Sequence, residues 1–197
     1  MNTEDVTFDN FLSLDPSERE KFLKDPEKMK KLVRKNLGAH RYAHSLSVAD
    51  TCKDLAKAHH YDEDKAYMAG LLHDCCKFKD EKGKSLLRSL LEKYDPQKLS
   101  YPEPTYHSFA AKYYLKEKCD FKDQEILNAI YNHTICDSDD TLSIILYIAD
   151  KREPLRQIDD DILAIAHEDL YKAYDLLKAD VEKYIRGNNE GFIENRV

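Results

Sequence analysis

Apolar residues recur every three or four positions through most of the chain, and no run alternates as a half-buried strand would. From about Ala39 to His59 the inward stripe is His44, Val48, Cys52 and Leu55. A second helical stripe begins after Asp62 and carries Ala66, Ala69, Leu72, His73 and Cys76. A shorter, polar helix is expected over Lys84–Tyr94, and others over Tyr106–Lys118, Lys122–Thr134 and Thr141–Lys151. Leu163, Ala166, Leu170, Ala173, Leu177, Val181 and Tyr184 predict one long amphipathic helix near the end of the chain. Asp15-Pro16 and Asp25-Pro26 each pair an N-cap residue with proline at the first helical position. They open two short helices that stop near Leu37, with Gly38 as the C-terminal stop. The three-proline stretch YDPQKLSYPEPTYH, residues 94–107, is the clearest loop. The pattern predicts an all-α bundle divided into an N-terminal helical extension (1–35), a main domain (36–187) and a C-terminal tail (188–197).

These stripes carry residues that do not belong on apolar faces. His44 lies among Val48 and Leu55, and His133 follows Ile126 and Ile130 on their side of a helix. Asp150 ends the run LSIILYIAD on its most apolar face, His73 and Asp74 end another, and His107 opens a helix after the proline loop. A single inward histidine reads as a hydrogen-bonded core residue, and a single terminal aspartate as a cap. Four imidazoles and two carboxylates facing one interior are different, because burying unpaired charge is costly. Divalent cations at their centre would satisfy all six. On a helix, neighbouring residues point about 100° apart, so Asp74 can reach an ion held by His73 and a second one as well. Mixed nitrogen and carboxylate ligation suits iron or manganese.

The bulk composition narrows the setting. The 197 residues are 42% apolar and 35% charged, the profile of a folded and highly charged globular chain. No segment is long and apolar enough to span a membrane, and the acidic N-terminus has no signal-peptide core. A net charge of −7 argues against a nucleic-acid partner. The five cysteines, an odd number with no CxxC pair, read as reduced thiols of a cytoplasmic protein. Cys75 and Cys76 adjoin the His-Asp pair, yet their spacing is not that of a zinc site, and they read as small core residues.

The segment RYAHSLSVADTCKDLAKAHHYDEDKAYMAGLLHDCCK, followed by ADKREPLR, resembles the HD-domain superfamily of metal-dependent phosphohydrolases, whose signature is H…HD…D. Here that signature is His44, His73-Asp74 and Asp150. The further YHSFAA and NHT add His107 and His133, and the six-ligand set with HDxxK and ADKxEPxR is similar to the YqeK family. The resemblance runs from about Arg34 to Tyr184. It implies an HD helical bundle around a dinuclear iron centre and symmetrical cleavage of diadenosine tetraphosphate to two ADP. The expected arrangement has His44, His73, Asp74 and Asp150 on one ion, with Asp74 bridging and His107 and His133 on the second. A metal-activated hydroxide would attack an inner phosphorus. Lys77 is expected to bind phosphate or give a proton to the leaving group, and Arg41 and Arg156 to bind phosphates. Lys151, Arg152 and Glu153 read equally well as a solvated charge run, and Tyr106 and Tyr131 as base-stacking or core residues.

The segment after His133, TICDSDDTLS, lacks the glycine and methionine common there in the family, which bears on substrate preference. The first 35 residues exceed the family's short start and read as an added helical arm or the remnant of a fusion. Two alternatives accompany the main reading: another HD nucleotide phosphohydrolase or phosphodiesterase, and a non-catalytic nucleotide-binding helical protein. The expected partner is a dinucleoside polyphosphate or other nucleotide, and a homodimer is compatible with the sequence.

Overall fold

Asp15 accepts the amide of Ser17 at 2.9 Å, and Asp25 accepts those of Glu27 and Lys28 at 3.1 and 3.2 Å. These caps start α1 (Pro16–Leu23) and α2 (Pro26–Asn36), each with proline in the first turn. The computed structural model describes residues 5–187 and the side chains of 5–179. The remaining helices are α3 (Ala39–Ala58), α4 (Glu63–Leu72), α5 (Glu81–Tyr94), α6 (Tyr106–Cys119), α7 (Gln124–Asn132), α8 (Thr141–Arg152), α9 (Ile162–Glu168) and α10 (Leu170–Gly187). Among the described residues there is no strand. The fold is all-α, and the expected tail at 188–197 lies outside the described residues.

Three expectations are corrected. Gly38 has φ −65° and ψ 158°, so it is not a left-handed stop after α2 but the residue that opens α3. The long terminal helix is two helices, because Asp169 leaves helical geometry at φ −146° and its side chain then caps Lys172 at 3.0 Å. Helix α4 ends at Leu72, so His73 to Cys76 form a turn beyond it and do not extend its face.

Helix α3 packs along α4, α8 packs against both, and α7 closes the group, with α6 behind α7. The α3–α4 crossing is close because Gly70 faces backbone: a β-carbon there would lie 2.6 Å from Ala49 Cα and 2.8 Å from Ala49 N. The N-terminal segment shares this core through Phe11, ahead of α1, and through Phe22, Met29 and Leu32 of the two helices. Phe8 packs on Tyr114 of α6 with ring centroids 5.4 Å apart. Asn36, at the end of α2, donates to the Cys75 carbonyl at 2.5 Å and so braces the turn after His73. Cys75 and Cys76 are fully buried, and burial pushes the Cys76 thiol well above its usual range, as fits a core residue.

Candidate metal centre

The helix ends aim the site. His73 is the C-cap of α4, and its Nδ1–H donates at 2.7 Å to the carbonyl of Gly70, one of the acceptors that a helix end leaves unpaired. His133, the C-cap of α7, does the same to Ile130 at 2.6 Å, and His107 donates to Pro104 at 2.7 Å. His44, in the middle of the second turn of α3, donates through Nδ1 to the Glu153 carboxylate at 3.0 Å. Carbonyl and carboxylate oxygens only accept, so each ring carries a proton on Nδ1 and turns Nε2 inward.

The four Nε2 atoms meet two carboxylates. His44 Nε2 lies 3.2 Å from Asp150 Oδ1, and His73 Nε2 lies 3.6 Å from the same oxygen. Asp74 sits in the middle. Its Oδ2 is 3.5 Å from His73 and 4.0 Å from His44, while its Oδ1 is 3.3 Å from His107 and 3.7 Å from His133. The two oxygens of one carboxylate thus face two separate groups of imidazoles. All six residues sequence reasoning picked as metal ligands come together here, five of them buried and Asp150 partly so.

The arrangement makes poor sense without a cation. His73 Nε2 and Asp74 Oδ1 are buried with no hydrogen-bond partner. His107 Nε2 and His133 Nε2 face each other at 3.2 Å, lone pair toward lone pair. Burial would lower His73, but Asp74 and Asp150 outweigh it and raise its pKa to about 10, so the field at this nitrogen draws positive charge. Burial also lowers His107 and takes His133 to about 4, keeping those rings neutral and able to donate their lone pairs. Burial alone would raise the Asp74 carboxyl; the charges of His73 and Lys77 reverse this and hold it well below the usual carboxylate range. Two overlapping sets, His44–His73–Asp150 and His73–Asp74–His133, have the ligand-atom spacing of metal sites. A divalent cation therefore fits the residues present.

Cations rim the cluster. Arg41 donates to Asp74 Oδ2 at 2.7 Å, and Lys77 Nζ lies 3.8 Å from the same oxygen. Lys77 gets there by the turn after α4, not by a shared helix face. Arg156 donates to Asp150 Oδ1 at 3.1 Å. Lys151 lies 3.5 Å from Asp150 Oδ2 and donates to the His133 carbonyl at 3.0 Å. Lys151 and Glu153 are thus site residues that the reading of a solvated charge run missed. The available signal was spacing, since Glu153 follows Asp150 by three residues and shares its side of the helix end. Arg152 pairs instead with Asp160 at 2.6 Å, its side chain only 14% exposed. Tyr106 and Tyr131 are committed elsewhere: their hydroxyls donate to the Leu99 carbonyl at 2.8 Å and to Asp95 at 2.6 Å.

The sequence profile of the HD domain matches residues 41–155, a span that takes in all six inward residues. The chain belongs to the HD-domain family. Among curated relatives of this HD protein is the symmetrical bis(5'-nucleosyl)-tetraphosphatase of Halalkalibacterium halodurans, 36% identical over 128 residues, covering 64% of this chain and 67% of that one. The enzyme of the same name from Staphylococcus aureus is 35% identical over 146 residues, covering 72% and 74%. A crystal structure from Clostridium acetobutylicum, described as an HD superfamily hydrolase involved in NAD metabolism, superposes with a TM-score of 0.73 at 30% identity. That match covers 85% of this chain and 90% of the other. HD-domain proteins are metal-dependent, in keeping with the donor set found here.

Proposed function

We propose that this HD protein is a metal-dependent hydrolase that cleaves diadenosine tetraphosphate symmetrically, giving two ADP. The observation that carries the reading is the unpaired pair of buried atoms, His73 Nε2 and Asp74 Oδ1, at the centre of six inward-facing donors. The relatives named as symmetrical bis(5'-nucleosyl)-tetraphosphatases supply the substrate class. Two ions are assigned to the site, iron first and manganese as the alternative. His44, His73, Asp74 and Asp150 would hold one, and His107 and His133 the other, with Asp74 shared. When bound, such ions supply a nucleophile at neutral pH and offset charge on phosphoryl oxygens.

The chain's own residues do the rest. Arg41 and Lys77 stand on the Asp74 side of the cluster and Arg156 and Lys151 on the Asp150 side. A polyphosphate lying across the donors therefore meets cations on both flanks. That arrangement holds phosphates to either side of the broken bond and favours the central phosphoanhydride over one next to a nucleoside. Arg41 and Arg156 present the planar fork that matches phosphate oxygens. Lys77, whose side chain is 38% exposed, can move between Asp74 and the leaving ADP, where its ammonium offsets charge or gives up a proton. Residues up to 35 act as an arm that packs on α6 through Phe8 and Tyr114, and Asn36, the first residue after it, braces the His73–Cys76 turn.

Removing the metal is the test. Protein stripped by a strong chelator is expected to lose turnover of diadenosine tetraphosphate and to regain it on addition of ferrous or manganous ion. Undiminished turnover by metal-free protein would contradict the reading.

A further inference from the structure

Among the described residues Glu153 is the one buried glutamate, 2% exposed, and it lies just beyond α8. Its two carboxylate oxygens are divided. Oε1 accepts the Nδ1–H of His44 at 3.0 Å, and Oε2 accepts the amide of Leu155 at 2.7 Å. The amide bond fixes the carboxylate in the turn Pro154–Arg156, and Arg156 ties the same turn to the Asp150 carbonyl and to Oδ1. One short turn therefore grips two inward-facing side chains on different helices, His44 of α3 through Glu153 and Asp150 of α8 through Arg156.

A carboxylate at this depth is costly unless positive charge faces it. The hydrogen bonds that reach it come from an imidazole and a backbone amide. Positive charge then reaches it through the ring, whose other nitrogen, His44 Nε2, stands 3.2 Å from Asp150 Oδ1. A glutamine has one accepting oxygen and an NH2 that only donates, so it could not take both hydrogen bonds, and the site calls for a carboxylate, whose charge then needs a cation. The carboxylate also serves a cation at Nε2, because an anion behind the ring makes the facing nitrogen a stronger donor.

We infer that Glu153 is a positioning residue of the metal centre. It fixes the tautomer and the aim of His44, and it raises the affinity for the ion that His44, His73 and Asp150 would hold. The inference rests on the proposed metal-dependent function, and it assigns a role to a residue that does not itself touch metal or substrate.

The test measures manganous-ion binding by competition with a chromophoric chelator for the native chain, Glu153→Ala and Glu153→Gln, with thermal melting of each metal-free protein as a check on folding. Loss of an outer partner of this kind weakens binding by about 10–100-fold. That loss is expected for one of two ions in Glu153→Ala. A smaller loss is expected in Glu153→Gln, which is isosteric and leaves no void. The paired manganese resonance should disappear at metal concentrations that saturate the native chain. In a His44→Ala background the Glu153→Ala change should alter affinity by about twofold or less, because the two act as one unit. Unchanged affinity in both variants would overturn the role of Glu153, as would an equal loss in the His44→Ala background. A native chain that takes up no manganese would overturn the metal reading itself, and the role of Glu153 with it.

Discussion

Asp74→Ala is expected to abolish hydrolysis and to release metal from both halves of the site. The Asp74 carboxylate turns Oδ2 toward His44 and His73 and Oδ1 toward His107 and His133, so its removal takes a donor from each group. His73→Ala takes a donor from one side only and should release less. Loss of a group that acts directly on reacting charge costs about 10²–10³-fold in rate, and one that serves two ions should cost at least that. Asp74→Asn separates charge from shape. It keeps the volume but turns an amide toward lone pairs that already lack a partner, so it should fail almost as badly. Folding should survive all three substitutions: Arg41, left without its carboxylate, is on the rim and can turn to water. Metal analysis and turnover of the three purified variants check this. Two equivalents of metal and normal turnover in Asp74→Ala would show that the shared carboxylate has no such role.

The second large effect belongs to packing. Gly70→Val should lower stability by about 3 kcal/mol, within the usual range for overpacking a core. For a chain of this size that corresponds to a fall of about 6–12 °C in melting temperature. The side chain would have to enter space where Ala49 Cα, Ala49 N and Val48 C lie 2.6, 2.8 and 3.0 Å from a β-carbon, and backbone cannot swing aside as a side-chain tip can. Relief requires α3 and α4 to part. His44 rides on α3 and His73 on the end of α4, with ring centroids 5.2 Å apart, so metal affinity should fall together with stability. Gly38 is the control. A β-carbon there meets nothing within 4 Å and its φ is −65°, so Gly38→Ala should shift melting by about 3 °C or less. Scanning calorimetry of the two variants decides the matter, and equal melting temperatures would contradict the close crossing.

The inward histidines and aspartates were legible in the sequence because each interrupts an apolar stripe, and a stripe can be read without knowing its partners. The turn at His73 was not. His73 keeps helical backbone angles after α4 has ended, so the helical spacing runs on through a residue that caps the helix and no longer extends it. The same blindness joined α9 to α10. Apolar spacing continues across Asp169, and only the capping contact to Lys172 marks the break. Glu153 was lost for another reason. Within KREP it stands beside two cations, and charge in a run suggests water. Its burial depends on His44, 109 residues away in the chain, which no local pattern reveals.

The central claim is cleavage at the middle of the phosphate chain, and the most direct measurement is hydrolysis of diadenosine tetraphosphate by the metal-loaded protein in ¹⁸O-water. Attack of water on one inner phosphorus breaks the central bridge, with the bridging oxygen leaving on the other half. The account predicts ADP as the sole nucleotide product, half of it carrying one heavy oxygen on its terminal phosphate and half carrying none. Equal amounts of AMP and ATP would contradict it.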